Sequence, residues 1–229
     1  HGDKFYEATV VLGAATVTDD VEGEVISRGD VSGITDSQIE AELVKMRGTI
    51  MQRPSSVSAV KVDGERAYDR VRAGESVELA SREVTISQLD ITAIRRIENA
   101  IEVDIEVTCS AGTFIRAIAR DCGDALAVGG HLNALRRTRV AGFGLDKAIS
   151  LTSLKAGEFA TLPLVDVART TFTARELALE EVNELSFGRP LSPNPDEAIY
   201  AAISGQELIA LLCNKDALAK PIAVFAAAN

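Results

Sequence analysis

The chain has 229 residues, of which 46% are hydrophobic and 25% charged, and 24 Lys and Arg face 34 Asp and Glu for a formal charge of −10. That length suffices for two modest domains with real cores, and the balance excludes both a disordered chain and a uniformly basic nucleic-acid coat. No apolar run reaches the ~18 residues of a membrane helix, and no signal peptide is visible. Cys109, Cys122 and Cys213 are too scattered for a disulfide frame or a zinc site and fit a reducing cytoplasm. The two histidines, His1 and His131, exclude His-rich metal sites and a Ser-His triad.

Tyr6–Leu12 is β-branched and apolar, stops at Gly13, and reads as a strand. Residues 16–23 are polar and end in glycine, which predicts a loop. Thr35 followed by Gln38 predicts a capping box, Ile39, Leu43 and Met46 form an apolar stripe, and Gly48 stands where a helix-ending glycine belongs. Residues 53–64 read as extended, and 65–73 as a short helix closed by Gly74. Residues 84–97 and 100–108 predict a β-hairpin around Glu98-Asn99. In its second strand Ile101, Val103, Ile105 and Val107 alternate with Glu102, Asp104 and Glu106, which predicts one packed and one wet face. Cys109–Gly112 breaks the strand, and Thr113 is placed to cap a helix to about Leu126. Gly129-Gly130 leads into a basic strand, 131–140. Short helical pieces follow over 150–163, then a helical stretch over 175–185 and three strand-like runs around Tyr200, Ile209 and Val224. The expected domain boundary lies near residue 168, giving domains 1–168 and 169–229.

Charge is uneven along the chain. Residues 44–82 carry 8 basic and 5 acidic side chains, and residues 111–150 carry 6 and 3, so two basic segments sit within an acidic chain. A local positive surface is what a phosphate-tracking groove requires.

Both basic segments also carry unusual motifs. Tyr6 and Leu12-Gly13 precede Thr16, Thr18, Asp20 and Gly23 in the pattern Y-x5-L-G-x2-T-x-T-x-D-x2-G. Arg47-Gly48, Gln52-Arg53-Pro54-Ser55 and Ser58–Tyr68 follow. Then come Cys109-Ser110-Ala111-Gly112-Thr113-Phe114-Ile115-Arg116 and Leu135-Arg136-Arg137-Thr138-Arg139. In this order and spacing the motifs resemble the TruB family of tRNA pseudouridine synthases, over nearly all of residues 3–160 and more weakly beyond. The wording is most similar to actinobacterial members.

The resemblance implies an α+β fold, a mixed sheet with packed helices, followed by a small PUA-like β domain. It implies isomerisation of the T-loop uridine of tRNA, with no metal or other cofactor, by a cytoplasmic monomer that needs no protein partner. Tyr6 matches the tyrosine that stacks on the flipped base, and Arg116 matches the arginine that pairs with the catalytic aspartate. Phe114 stands where most members have tyrosine, so the ring is kept and a hydroxyl is lost. Asp20 matches an acidic position near the substrate, and Leu135 a leucine lining the base pocket. Lys61, Tyr68, Arg72, Arg136, Arg137 and Arg139 are expected to face RNA, whereas for His131 a packed or capping role is as reasonable as an RNA contact. The family's nucleophilic aspartate belongs to an H-x-G-T-L-D-P stretch upstream of Tyr6. Only five residues precede Tyr6 here, and Asp3 is not in that motif, so these 229 residues are expected to be inactive alone, as a fragment or shortened form of an active enzyme. The competing reading is a non-catalytic tRNA-binding or tRNA-folding protein on the same scaffold. The short C-terminal part separates the chain from guide-RNA-dependent relatives of the dyskerin type.

Overall fold

A computed structural model describes residues 2–55, 79–195 and 199–226, together with the backbone of 61–62 and 65–66. The chain divides into two compact units, His1–Leu145 and Asp146–Asn229.

The first unit is built on β1 (Lys4–Leu12), followed by the small hairpin β2 (Ala14–Thr16) and β3 (Val25–Arg28). Helix α1 (Asp36–Val44) and β4 (Gly48–Gln52) come next, then the two-residue pair β5 (Lys61–Val62) and β6 (Glu65–Arg66). The long hairpin β7 (Arg82–Ile97) and β8 (Ala100–Cys109) leads into α2 (Ile115–Ala125), β9 (Gly130–Val140) and β10 (Phe143–Gly144). Six strands form one sheet in the order β10-β9-β1-β8-β7-β4, antiparallel at every pairing. Ala8, Val10 and Leu12 of β1 stand opposite Ile105, Val103 and Ile101 of β8, and this face is buried under α1 and α2. The other face is wet, where Thr9 donates to Asp104 at 2.8 Å and Arg95 pairs with Glu102 and Asp104. The period of two thus gives one packed and one solvated face.

Helix α1 begins as its sequence requires, with the Thr35 and Gln38 side chains reciprocally bonded to each other's backbone N–H. It ends earlier than expected, at Val44 with Lys45 as C-cap, and Gly48 instead opens β4 at a φ of +88°. Glu65 and Arg66 lie in a strand pair rather than at a helix start, and residues 67–73 fall outside the described residues. Close approach of α2 to the start of β9 depends on glycine. A Cβ on Gly130 would lie 2.1 Å from the Ala119 carbonyl oxygen, and one on Gly123 2.2 Å from the Gly129 carbonyl carbon.

The second unit holds α3 (Leu151–Ala156), α4 (Leu164–Thr171), β11 (Ala174–Glu176) and α5 (Leu179–Ser186), then β12 (Tyr200–Ser204), β13 (Glu207–Lys215) and β14 (Leu218–Val224). Its sheet runs β11-β12-β13-β14, with β11 parallel to β12 and the rest antiparallel. Strand β12 is buried on both faces. Tyr200 and Ala202 share a core with Leu185 of α5, while Ala201 and Ile203 share another with Val165 and Ala168 of α4. The expected boundary near residue 168 therefore falls inside α4, a helix whose apolar residues pack into the second unit. Arg175 and Glu176, expected to open a helix over 175–185, instead belong to strand β11 because they pair with β12, and the helix follows at 179.

Candidate active site

The C-S-A-G-T-F-I-R stretch makes a tight exit from β8 into α2. Ser110 accepts the Thr85 N–H on its hydroxyl and donates its own N–H to the Thr85 carbonyl, at 3.0 and 2.8 Å. Thr113 does not cap the helix; its hydroxyl turns back to the Ser110 carbonyl at 3.0 Å. The N-cap is Phe114, whose extended backbone takes no cap from its own side chain. Gln52, at the end of β4 and only 1% exposed, holds it instead. Its Oε1 accepts the Phe114 N–H at 2.7 Å, and its Nε2 donates to the Phe114 carbonyl at 2.9 Å. The Phe114 ring lies 4.9 Å from the Arg82 guanidinium, a cation–π distance.

Arg116 follows in the first turn of α2, where the helix dipole disfavours a cation. Its partner is Asp20, with Nη2 2.6 Å from Oδ2; the arginine side chain is 39% exposed and the aspartate 11%. Asp20 also accepts the Thr18 hydroxyl and the Glu22 N–H on Oδ1. The turn is hung on β9, where Val21 N–H donates to the Leu132 carbonyl at 2.8 Å and Leu132 N–H to the Asp19 carbonyl at 3.0 Å. Gly23 closes it, since a Cβ there would lie 2.3 Å from the Thr18 hydroxyl. The spacing T-x-T-x-D-x2-G is thus the recipe for presenting one carboxylate to Arg116.

Sequence reasoning passed over the pair behind this one. Arg120, one turn along α2, bonds Asp19 at 3.1 Å, and both side chains are nearly buried. Burial pushes the Asp19 carboxyl above the ordinary carboxylate range, against the lowering effects of Arg120 and Ser55. The i, i+4 spacing of Arg116 and Arg120 and the doublet Asp19-Asp20 were the available signals.

On the packed face of the sheet, Tyr6 stands opposite Arg137 of β9 and Leu135 stands opposite Ala8, so Tyr6, Leu135 and Arg137 share a face. Tyr6 packs against the core that includes Ile115, the residue before Arg116. Leu135 is 48% exposed and available for contact. Arg136 is not on this face. It pairs with Glu7 on the wet side, and Arg139 lies there too, its guanidinium 3.5 Å from the Phe5 ring centroid. The three arginines thus divide between two surfaces. His131 is half-buried, its Nδ1–H donating to the Ala14 carbonyl at 2.9 Å. Tyr68 and Arg72 lie outside the described residues, as does the side chain of Lys61.

Comparison with known proteins gives the chain its class. Residues 1–115 match the family model described as TruB family pseudouridylate synthase (N terminal domain). Residues 116–161 match the tRNA pseudouridylate synthase B C-terminal domain, and 172–226 match tRNA Pseudouridine synthase II, C terminal. The chain belongs to the TruB family of pseudouridylate synthases. Among its relatives, the tRNA pseudouridine synthase B of Mycobacteroides abscessus is 50% identical over 228 residues, covering 99% of this chain and 76% of that protein. The protein of the same name from an Arthrobacter species is 46% identical over 238 residues, covering 99% and 78%. The fold is similar to that of a solved Cbf5-Nop10-Gar1 complex, with a TM-score of 0.63 at 20% identity, covering 97% of this chain and 66% of the other.

Proposed function

We propose that these residues form the base-positioning and RNA-binding parts of a tRNA pseudouridine synthase acting on the T-loop uridine. In this reaction the bond from uracil N1 to the ribose C1′ breaks, the base rotates, and a bond from C5 to C1′ forms; C5 loses its proton to water and N1 takes one up, so the product is an isomer. A base in a folded loop must first leave its stack and be held by a flat apolar surface. Tyr6 supplies that ring, with stacking worth about 1–3 kcal/mol, and Leu135 lines the pocket beside it. Phe114 flanks the reacting base. Arg116 orients and keeps ionised the nucleophilic carboxylate, and Asp20 holds Arg116 in place near the substrate. Arg137, with Lys61, Tyr68, Arg72, and Arg136 from the wet face, takes the tRNA backbone. A cytoplasmic monomer acting without a protein partner completes the reading.

The observation that carries it is the Arg116–Asp20 pair, a partly open guanidinium fixed on a nearly buried carboxylate. Asp20 is already engaged by Thr18, the Glu22 N–H and Arg116. It is therefore an anchor rather than the nucleophile. The Gly-Thr-Leu-Asp-Pro stretch that would carry the nucleophile does not occur within these 229 residues. Tritium release from tRNA labelled at uracil C5 tests the proposal. The 229 residues alone should release only background, and the same residues joined to a segment bearing that stretch should release tritium from the T-loop uridine. Release by neither, with tRNA binding intact, would make the chain a non-catalytic tRNA binder; release by the 229 residues alone would overturn the assignment of the nucleophile.

A further inference from the structure

We propose that Arg120 is a positioning residue for this reaction, setting the Asp19-Asp20 turn so that Asp20 stands beneath Arg116. The proposal rests on the function proposed above. Arg116 and Arg120 are four residues apart on α2, so both side chains leave one helix face about 6 Å apart along the axis. They grip consecutive carboxylates, Arg116 taking Asp20 at 2.6 Å and Arg120 taking Asp19 at 3.1 Å. In an extended chain, consecutive side chains point to opposite sides. Here Asp19 has a φ of +60°, a left-handed conformation that breaks the alternation and lets both carboxylates reach one helix. Non-glycine residues hold that conformation at some cost, and in it the Asp19 carboxylate meets the Arg120 guanidinium.

Arg120 does more than neutralise Asp19. Its Nη2 donates to the Arg53 carbonyl at 2.8 Å and its Nε to Asp121 at 2.8 Å. Arg53 follows Gln52, the residue that holds Phe114. One side chain therefore ties together the acidic turn, the loop leaving β4, and the helix that presents Arg116. Its side chain is 10% exposed against 39% for Arg116. That burial keeps it off the substrate and makes its action indirect, through Asp20.

Amide hydrogen exchange in the 229-residue chain tests the positioning itself. Arg120→Gln should speed exchange at Val21, Glu22 and Leu132 by about tenfold or more while the amides of β8 stay protected. Unchanged exchange at the turn overturns the proposal. Where Arg120→Gln also unprotects β8, the double variant Asp19→Asn/Arg120→Gln, which strands no buried charge, is read by the same criterion. Loss of β8 protection in that variant too would make Arg120 a general stabiliser and overturn the proposal.

A second arm uses the active, segment-bearing protein. Arg120→Gln should slow single-turnover tritium release by about tenfold or more with tRNA affinity within about threefold, and Arg120→Lys should recover part of the rate. In an Asp20→Asn background the same substitution should cost less than about twofold, because its route to the site has been removed. An equal loss in both backgrounds, or affinity falling in step with rate, overturns the proposal. If the parent protein releases no tritium, the proposed function fails, and the exchange experiment still decides the role of Arg120.

Discussion

Gln52→Leu is the sharpest test of how the first turn of α2 is built. The Gln52 amide makes two bonds to one residue, accepting the Phe114 N–H at 2.7 Å and donating to the Phe114 carbonyl at 2.9 Å, from a position 1% exposed. Leucine fills nearly the same volume, so the cavity contribution is small. What remains is the loss of two hydrogen bonds, about 1 kcal/mol each, with the partly buried Phe114 groups left unpaired, for a total of about 2–4 kcal/mol. Urea unfolding followed through the NMR signals of the β8 amides reports the first unit alone. The midpoint should fall by an amount matching that loss, with the slope unchanged. In the segment-bearing protein the rate should fall by about tenfold as well, because Arg116 lies two residues beyond Phe114. A stability loss below about 0.5 kcal/mol would refute the reasoning, since the Phe114 groups would then be satisfied without Gln52.

Phe114→Tyr should change turnover by less than about threefold, because the ring and its contact with Arg82 are kept; a large gain would show that the missing hydroxyl is a defect. Asp19 gives a pH signature. Its carboxyl is raised mainly by burial, so the folded state favours the protonated form, and stability is lost as pH rises from the ordinary value of 3.8 through the raised one. Across that window the chain should lose stability relative to Asp19→Asn in urea titrations, and a constant difference would contradict the burial argument. Affinity for tRNA should fall with salt, with a log–log slope steeper than about −2. A flat profile would remove the phosphate-binding role of the arginines.

What could be read in the sequence was whatever depends on near neighbours. The alternation of β8, the stripe of α1 and the Thr35/Gln38 box each encode their structure within a few residues, and each forms. Strand β4 could not be read because its residues are mostly exposed and do not alternate. The hairpin of β2 and β3 was hidden for the same reason, since all four residues of β3 are exposed. At the site, the motif around Asp20 and Arg116 was legible and its geometry is now physical. Gln52 and Arg120 were not, since their partners lie 62 and 101 residues away in the chain. The arginines of β9 teach a different lesson. Counting charge grouped Arg136 with Arg137, although neighbours in a strand point to opposite faces, and the structure separates them.

The central claim is that Arg116, anchored on Asp20, serves the isomerisation of a tRNA uridine. Single-turnover tritium release by the segment-bearing protein and its Arg116→Met variant tests it most directly. Methionine keeps an unbranched apolar stem and removes the charge. The account predicts a rate at least about 100-fold lower with tRNA affinity within about threefold. A rate within about threefold of the parent would place the chemistry elsewhere and contradict the account.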